Sequence, residues 1–278
     1  MKKNASTILI VCVFLCGLVL FLYPSVSNFY NESKNGGLID DYISQTQGMS
    51  KQDYTAAWEA ARLYNENMRN PEALEKLGLD YKNVLNPYGG GIMGYLEIPK
   101  IRVSLMIVHD ADEDELQDSV GHMKETALPV GGKGTHAAMA GHSGLPSAKL
   151  LTNLEVLEPG DMFYIHVLGE RLDYRVDQIA VVEPNDRSLL QTDPDKDFVT
   201  LITCTPYGIN SHRLLVRGVR VSADTPVEGE YVYIGNELQV IKPILLVPGA
   251  MVALGLAAGM IYGAAKLIFR RKGKHRAE

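Results

Sequence analysis

Asp197-Phe-Val-Thr-Leu-Ile-Thr-Cys-Thr-Pro-Tyr-Gly-Ile-Asn-Ser-His-Arg-Leu-Leu-Val-Arg-Gly-Val-Arg-Val221 reads as two strands joined by a turn. Phe198 to Thr203 and Leu214 to Val221 are short and rich in Val, Ile and Leu, and the chain between them carries Pro206, Gly208 and Asn210, which favour turns. The same texture runs back to Gly91. It predicts strands at Ile92 to Ile98, Ser104 to Val108, Thr135 to Gly141, Asp161 to Val167 and Leu172 to Val182. Seven or eight short strands with few helices predict a mainly β fold that closes, or nearly closes, into a barrel over residues 92–222. Asp112 to Ser119 and Ser147 to Leu154 are predicted as helices inserted between strands.

Upstream of Gly91 the pattern is helical. Ser50-Lys-Gln-Asp53 resembles a capping box with Asp in place of Glu, and Tyr54, Ala57, Trp58, Ala61 and Leu63-Tyr64 then recur at helical spacing until Asn70-Pro71. A shorter helix is predicted from Pro71 to Leu77, so residues 24–91 form a helical extension whose apolar face needs the barrel to pack on. The two ends of the chain inflate its 46% apolar content. Ala5 to Tyr23 carries no charge, and Ile244 to Phe269 carries only Lys266; about 20 apolar residues suffice to cross a bilayer. Lys2 and Lys3 precede the first run, and Arg270, Arg271, Lys272, Lys274 and Arg276 follow the second in a basic tail over 270–278. Positive flanks place both termini in the cytoplasm and the intervening region outside, with a linker over 223–243 leading to the C-terminal span. The alternative is that residues 1–27 are a cleaved signal peptide, with Ser25-Val26-Ser27 before the cut. The membrane bilayer is thus one expected partner. The net charge of -6 includes the basic flanks, so the external part is more acidic still, and a nucleic-acid partner is not expected.

Of three cysteines, Cys12 and Cys16 fall in the first apolar run, which leaves Cys204 as the single thiol of the external part. An unpaired thiol where disulfides form is a liability unless it is used, which makes Cys204 the first candidate for a nucleophile. A thiol attacks as thiolate and needs a base or cation close by. The candidate bases are His109, His122, His136, His142, His166 and His212. His136 and His166 sit in strand interiors, and His109 and His122 have nothing converging on them. His142 ends a strand and opens the turn Ser143-Gly144-Leu145-Pro146, a position where catalytic groups are often found. His212 is its rival, close to Cys204 in sequence but adjacent to Arg213 on a strand, where neighbours point to opposite faces. The oxyanion that forms when a thiolate adds to an amide carbonyl needs a fixed positive donor. Arg213, Arg217 and Arg220 are available, and a turn of this length sets Arg213 opposite Cys204.

Thr200-Leu-Ile-Thr-Cys-Thr-Pro-Tyr-Gly-Ile-Asn-Ser-His-Arg213 and Ala140-Gly-His-Ser-Gly-Leu-Pro146 resemble the signature blocks of sortases, the cysteine transpeptidases of Gram-positive cell surfaces. The resemblance implies Cys204 as nucleophile, His142 as proton-transferring partner and Arg213 as stabiliser of the oxyanion. The Thr-Pro-Tyr-Gly-x-Asn-x-His-Arg continuation, the C-terminal span and the helical extension resemble class C, the pilin-polymerising group. That class implies a lid with Asp-Pro-aromatic, matched here by Asn86-Pro87-Tyr88 before Gly89-Gly90-Gly91. Tyr88 would then cover the thiol, Pro87 would stiffen the turn and the glycines would act as a hinge. Asn86 lacks the charge that pairs with the catalytic arginine in relatives. The implied partners are pilin subunits bearing a Leu-Pro-x-Thr-Gly-like signal and an acceptor lysine. No cofactor or metal is implied, since the acidic run Asp110 to Glu115 lacks the glycine spacing of a calcium loop. Alternatives are a housekeeping sortase using a cell-wall amine, a peptidase resolving with water, and a non-catalytic membrane-tethered assembly module with Cys204 as a buried structural thiol.

Overall fold

The computed structural model describes residues 2–110, 115–143, 145, 148–222 and 232–234. The predicted span 244–269, the basic tail and most of the 223–243 linker lie outside the described residues. Among the described residues nine strands form the sheet: β1 (Ile92–Ile98), β2 (Val103–His109), β3 (Val120–His122), β4 (Thr135–Ala140), β5 (Met162–Val167), β6 (Glu170–Val182), β7 (Asp197–Thr205), β8 (His212–Arg220) and β9 (Val232–Ile234). The order is β5-β1-β2-β3-β4-β7-β8-β6-β9, and a further β5–β6 pairing closes eight strands into a barrel of mixed sense. The β2–β3 and β4–β7 pairs are parallel, as is β6–β9, and the others are antiparallel. Closure leaves few open edges to pair with another chain.

Strand residues alternate between the barrel interior and its outer surface. Leu96, Ile98, Ile107, Met139, Phe163, Ile165, Tyr174, Leu201 and Val216 are all fully or almost fully buried. β7 departs from the alternation, with Ile202 as well as Leu201 out of water. Ile202 joins Ala138, Ala180 and Leu215 in a second cluster beneath Leu189 and Leu190 of the β6–β7 connection. Burial on both faces explains why this stretch reads as an unbroken apolar run.

Three helices precede the barrel: α1 (Lys2–Gln47), α2 (Lys51–Asn67) and α3 (Pro71–Leu77). α2 begins as its sequence predicts. Ser50 Oγ accepts from the Asp53 backbone N–H at 3.1 Å and donates to the Asp53 carboxylate at 2.7 Å. Trp58, Ala61 and Tyr64 form its buried face, and the Asn65 side chain bridges to both backbone groups of Leu128. Four features differ from expectation. α1 continues through Pro24 to Gln47, so the apolar run and part of the extension are a single helix. Its docked face, Asn35, Ile39, Tyr42 and Thr46, is buried. The Tyr42 hydroxyl donates to the Met93 carbonyl at 3.0 Å and accepts from the Leu168 N–H at 2.8 Å. β3 and β9 lie in segments read as connection and linker. The expected helices at 112–119 and 147–154 reduce, among the described residues, to short 3-10 turns at Glu115–Gln117 and Leu154–Val156.

His122 supplies a pH-dependent term in stability. It is fully buried; its Nε2 lies 2.8 Å from the Ala127 carbonyl and its Nδ1 3.0 Å from the Tyr81 hydroxyl, a network that suits a neutral ring donating from Nε2 and accepting at Nδ1. Desolvation lowers its pKa from 6.5 to about 4. Between these values the unfolded chain binds a proton that the folded chain does not, so this contribution is complete above pH 6.5 and is lost as pH falls toward 4. Denaturant titrations at pH 7 and 4.5 are expected to show His122→Asn losing about 2–3 kcal/mol less stability than the wild type on acidification. Equal losses would show that the ring is not neutral in the folded state.

Candidate active site

Cys204 occupies the last turnward pair but one of the β7–β8 ladder, directly opposite Arg213, with Thr205 opposite His212 beyond it. The connection returns tightly because Gly208 and Asn210 adopt left-handed φ values of 74° and 60°, which glycine and asparagine tolerate best. The N–H groups of Ile209 and Asn210 both reach the Pro206 carbonyl, at 3.0 and 2.9 Å. This turn fixes the register that sets thiol and guanidinium side by side. Cys204 is partly exposed and carries a free thiol.

β4 delivers His142 to the same place. It runs parallel to β7, with Ala140 beside Ile202, and the Gly141 N–H donates to the Ile202 carbonyl at 3.0 Å. Two hydroxyls then clamp the strand exit. Thr203 Oγ1 donates to the Gly141 carbonyl at 2.8 Å, and Ser143 Oγ donates to the Cys204 carbonyl at 2.7 Å. His142 is thus flanked on both sides by residues tied to β7, while its own carbonyl accepts from Leu151 N–H at 3.2 Å. Gly141 is required here, because a Cβ would stand 2.9 Å from Val120 and 3.0 Å from Leu151. Ser143 and Thr203 were not singled out from sequence, although each adjoins a candidate residue.

The other histidines are engaged elsewhere. The two ring nitrogens of His109 lie 2.9 and 2.8 Å from the carbonyls of Gly91 and Val84. His136 meets the Gln191 carbonyl and the Thr200 hydroxyl, and burial pushes its pKa down. His166 stacks on Tyr95 at 4.1 Å and contacts Glu97 at 3.0 Å, with desolvation again lowering its pKa. His212 meets Ser211 Oγ at 2.8 Å and Glu183 at 3.4 Å. Among the described residues the half-buried His142 ring has no such partner. The arginines separate in the same way. Arg217 makes a bidentate pair with Asp177 at 2.8 and 3.0 Å and lies 4.1 Å over Phe198, and Arg220 is 3.8 Å from Asp197. Arg213 reaches only the carbonyls of Asn210 and His212, at 3.3 and 3.1 Å. Among the described residues no carboxylate neutralises it.

Asn86, Pro87 and Tyr88 are not brought to this site. Asn86 closes a turn, accepting from Gly91 N–H at 3.1 Å and donating to the Lys82 carbonyl at 3.0 Å. The Tyr88 hydroxyl donates at 2.6 Å to the Gln45 carbonyl in the last turn of α1, which also accepts from the Gly48 N–H at 3.0 Å. The strand pairings put Gly91 beside His109, and hence at the level of His122 and Met139. Cys204 lies in the opposite direction along β7. The expectation that Tyr88 covers the thiol is therefore corrected. Gly89, Gly90 and Gly91, at φ of 74°, 80° and 75°, turn the chain from Tyr88 directly into β1.

The chain is similar to known proteins. The sortase domain family matches residues 96–221. Sortase C1 from Streptococcus agalactiae shares 41% identity at a TM-score of 0.63, over 67% of this chain and 99% of that one. Sortase C from Streptococcus pneumoniae shares 39% at a TM-score of 0.62, over 69% of this chain and all of that one. Sortase A from Bacillus anthracis is 26% identical over 219 residues, 78% of this chain and 95% of its own length. A closed barrel with Cys204 and Arg213 in register across β7–β8, and near-complete coverage of class C neighbours at about two-fifths identity, establish that the chain belongs to the sortase family of cysteine transpeptidases.

Proposed function

We propose that this chain is a class C sortase, anchored in the membrane by α1, that cleaves a Leu-Pro-x-Thr-Gly-like signal between Thr and Gly and passes the acyl group to a lysine of a pilin subunit. The observation that carries the reading is the Cys204–Arg213 register pair with His142 held beside it by two hydroxyl clamps. The Cys204 thiolate adds to the Thr carbonyl, and the Arg213 guanidinium, free of any carboxylate among the described residues, stabilises the oxygen as it becomes negative. His142 protonates the leaving Gly amine as the tetrahedral adduct collapses to a thioester. It then takes a proton from the incoming amine as that amine displaces sulfur. The apolar surface formed by Ala140, Val182, Leu189 and Leu190 beside Ile202 suits the Leu-Pro end of the signal.

Purified protein, a signal-bearing pilin domain and mass spectrometry test this. The expected product is an isopeptide-linked ladder that disappears when the pilin acceptor lysine is replaced. Ladders that persist, or transfer only to a cell-wall amine, would favour the housekeeping alternative; release of free acid alone, unaffected by added amines, would favour a peptidase.

The clamps give a second prediction. Ser143→Ala removes the tie to the Cys204 carbonyl, and Thr203→Val the tie to Gly141. Each is expected to lower kcat about tenfold with KM little changed, since misplacing a proton-transfer group is costly to the chemical step. Thr203→Ser, which keeps the hydroxyl, should restore most of the rate. A loss confined to KM would show that the clamps serve substrate binding instead.

A further inference from the structure

The direction of α1 across the barrel has a consequence for where the active site sits. Val108, Gly121, Ala140 and Ile202 share one level of the sheet through successive pairings. A step along β7 toward Cys204 corresponds to a step along β3 toward Ser119 and along β2 toward Ser104. The first docked turns of α1, from Asn28 to Asn35, lie at that end. Asn28 Oδ1 accepts from the Lys149 N–H at 2.8 Å in the loop that follows His142; Asn35 donates to the Asp118 carbonyl at 2.8 Å, and Lys34 pairs with the Asp118 carboxylate. Later turns dock progressively farther from it: Tyr42 meets Met93 and Leu168 near the level of Val108, and Gln45 meets Tyr88 beyond Gly91.

Asn28 stands only five residues after Tyr23, where the apolar run read as a membrane span ends before Pro24. A helix rises about 1.5 Å per residue, so the His142 loop is tied to α1 about 7.5 Å or less above the hydrocarbon boundary. That is about the depth of one headgroup layer. On the face of α1 away from the barrel, Tyr23, Val26, Phe29 and Tyr30 are exposed, and aromatic residues favour the membrane interface. Two further observations agree. Tyr207 and Ile209, just beyond Cys204, are 46% and 65% exposed. β9 runs parallel to β6 from Gln178 toward Val182, the partner of Arg213, so the described chain leaves the barrel at the same end.

We infer that α1 is a rigid strut holding the Cys204 end of the barrel against the bilayer surface, with Tyr207 and Ile209 at the boundary between headgroups and acyl chains. This rests on the membrane anchoring proposed above. It makes the lipid surface one wall of the active site, so the scissile bond must be presented within about a nanometre of the headgroups, and a donor anchored in the same membrane is favoured over one in solution.

The test uses the full chain in phosphatidylcholine–phosphatidylglycerol vesicles with acyl-chain-brominated lipid. Ile209→Cys and Lys196→Cys are each made in a Cys12→Ser, Cys16→Ser, Cys204→Ala background and labelled with bimane. Lys196 immediately precedes β7, at the far end from Cys204. Bimane at 209 is expected to lose at least half its emission and bimane at 196 almost none. A seven-residue helical insertion between Ser25 and Val26 lifts the barrel about 10 Å with its facing nearly preserved. It should abolish quenching at 209. With Cys204 intact, the insertion should leave cleavage of a soluble signal peptide unchanged and slow cleavage of a vesicle-anchored donor at least fivefold. Equal quenching at 209 and 196, or quenching at 209 that survives the insertion, overturns the inference. Cleavage of the soluble peptide by the uninserted protein reports separately on the enzymatic reading, and the quenching decides the orientation whichever way that result falls.

Discussion

Cys204→Ala is expected to lower peptide cleavage and transfer at least 10⁴-fold while leaving the fold in place. A factor of that size corresponds to about 5.5 kcal/mol of activation free energy. The expectation follows from what the methyl group cannot do: without sulfur there is no nucleophile to divide amide exchange into two steps through a thioester, and water positioned by Arg213 and His142 alone is a poor substitute. The structure explains why stability should survive. Cys204 is partly exposed near the open end of β7, its ladder partners are backbone groups, and the contact it provides to Ser143 uses its carbonyl. None of these is lost, so a change below about 1 kcal/mol is expected, within the ordinary range for positions outside the core. Intact-mass spectrometry of wild type with a signal peptide should show an acyl adduct, and the variant should show none. Cys12 and Cys16 are exposed in the described part of α1, so the adduct must be mapped to Cys204. A variant that kept more than a hundredth of the wild-type rate with an unchanged melting curve would remove the thiol from the mechanism.

Much of the barrel is legible because its strands obey local rules. The strands that were read share short Val-, Ile- and Leu-rich runs cut by Gly, Pro and Asn. β3 escapes because three residues, Val120-Gly121-His122, are too few to show a period, and only their pairings with β2 and β4 define them. The continuation of α1 past Pro24 is hidden for another reason. Its docked stretch carries Asn28 and Asn35 with Gly36-Gly37 beside them, weak helix formers, and is tied to the barrel by contacts of Asn28 with Lys149, Asn35 with Asp118 and Tyr42 with Met93. The choice of His142 over five other external histidines is argued from position in the sequence, and the structure adds that each of the other five rings has a hydrogen-bond partner. The reading of Tyr88 as a lid went astray because a motif names a residue and not the carbonyl its hydroxyl will find. Gln45 lies 43 positions upstream, at the end of a helix whose extent was itself unread.

Gly94→Ala is expected to cost the fold more than any other single methyl discussed here, and Gly36→Ala to act with the opposite sign. Gly94 lies in β1 next to the register irregularity between Ile92 and Gly94, where β1 is paired with β2 on one side and approaches β5 on the other. A Cβ at Gly94 would stand 2.1 Å from the His166 carbonyl oxygen and 3.1 Å from the Val167 side chain. The nearest atom belongs to backbone, so no rotamer change relieves the clash. β5 would have to retreat by about 1 Å, yet it is bonded to β6 as well as β1, and moving it strains the pairing that closes the barrel. Overpacking typically costs about 1–3 kcal/mol, and loss of ladder bonds adds to it. A total of about 3–5 kcal/mol lowers the melting temperature by about 6–20 °C in a domain of this size. At Gly36 the added methyl meets nothing within 4 Å on an exposed helical turn, where alanine is favoured over glycine by up to about 1 kcal/mol. Paired thermal melts of the two variants check both signs at once. A Gly94→Ala protein melting within about 2 °C of wild type would mean that β5 is free to shift and that barrel closure at β1–β5 is soft.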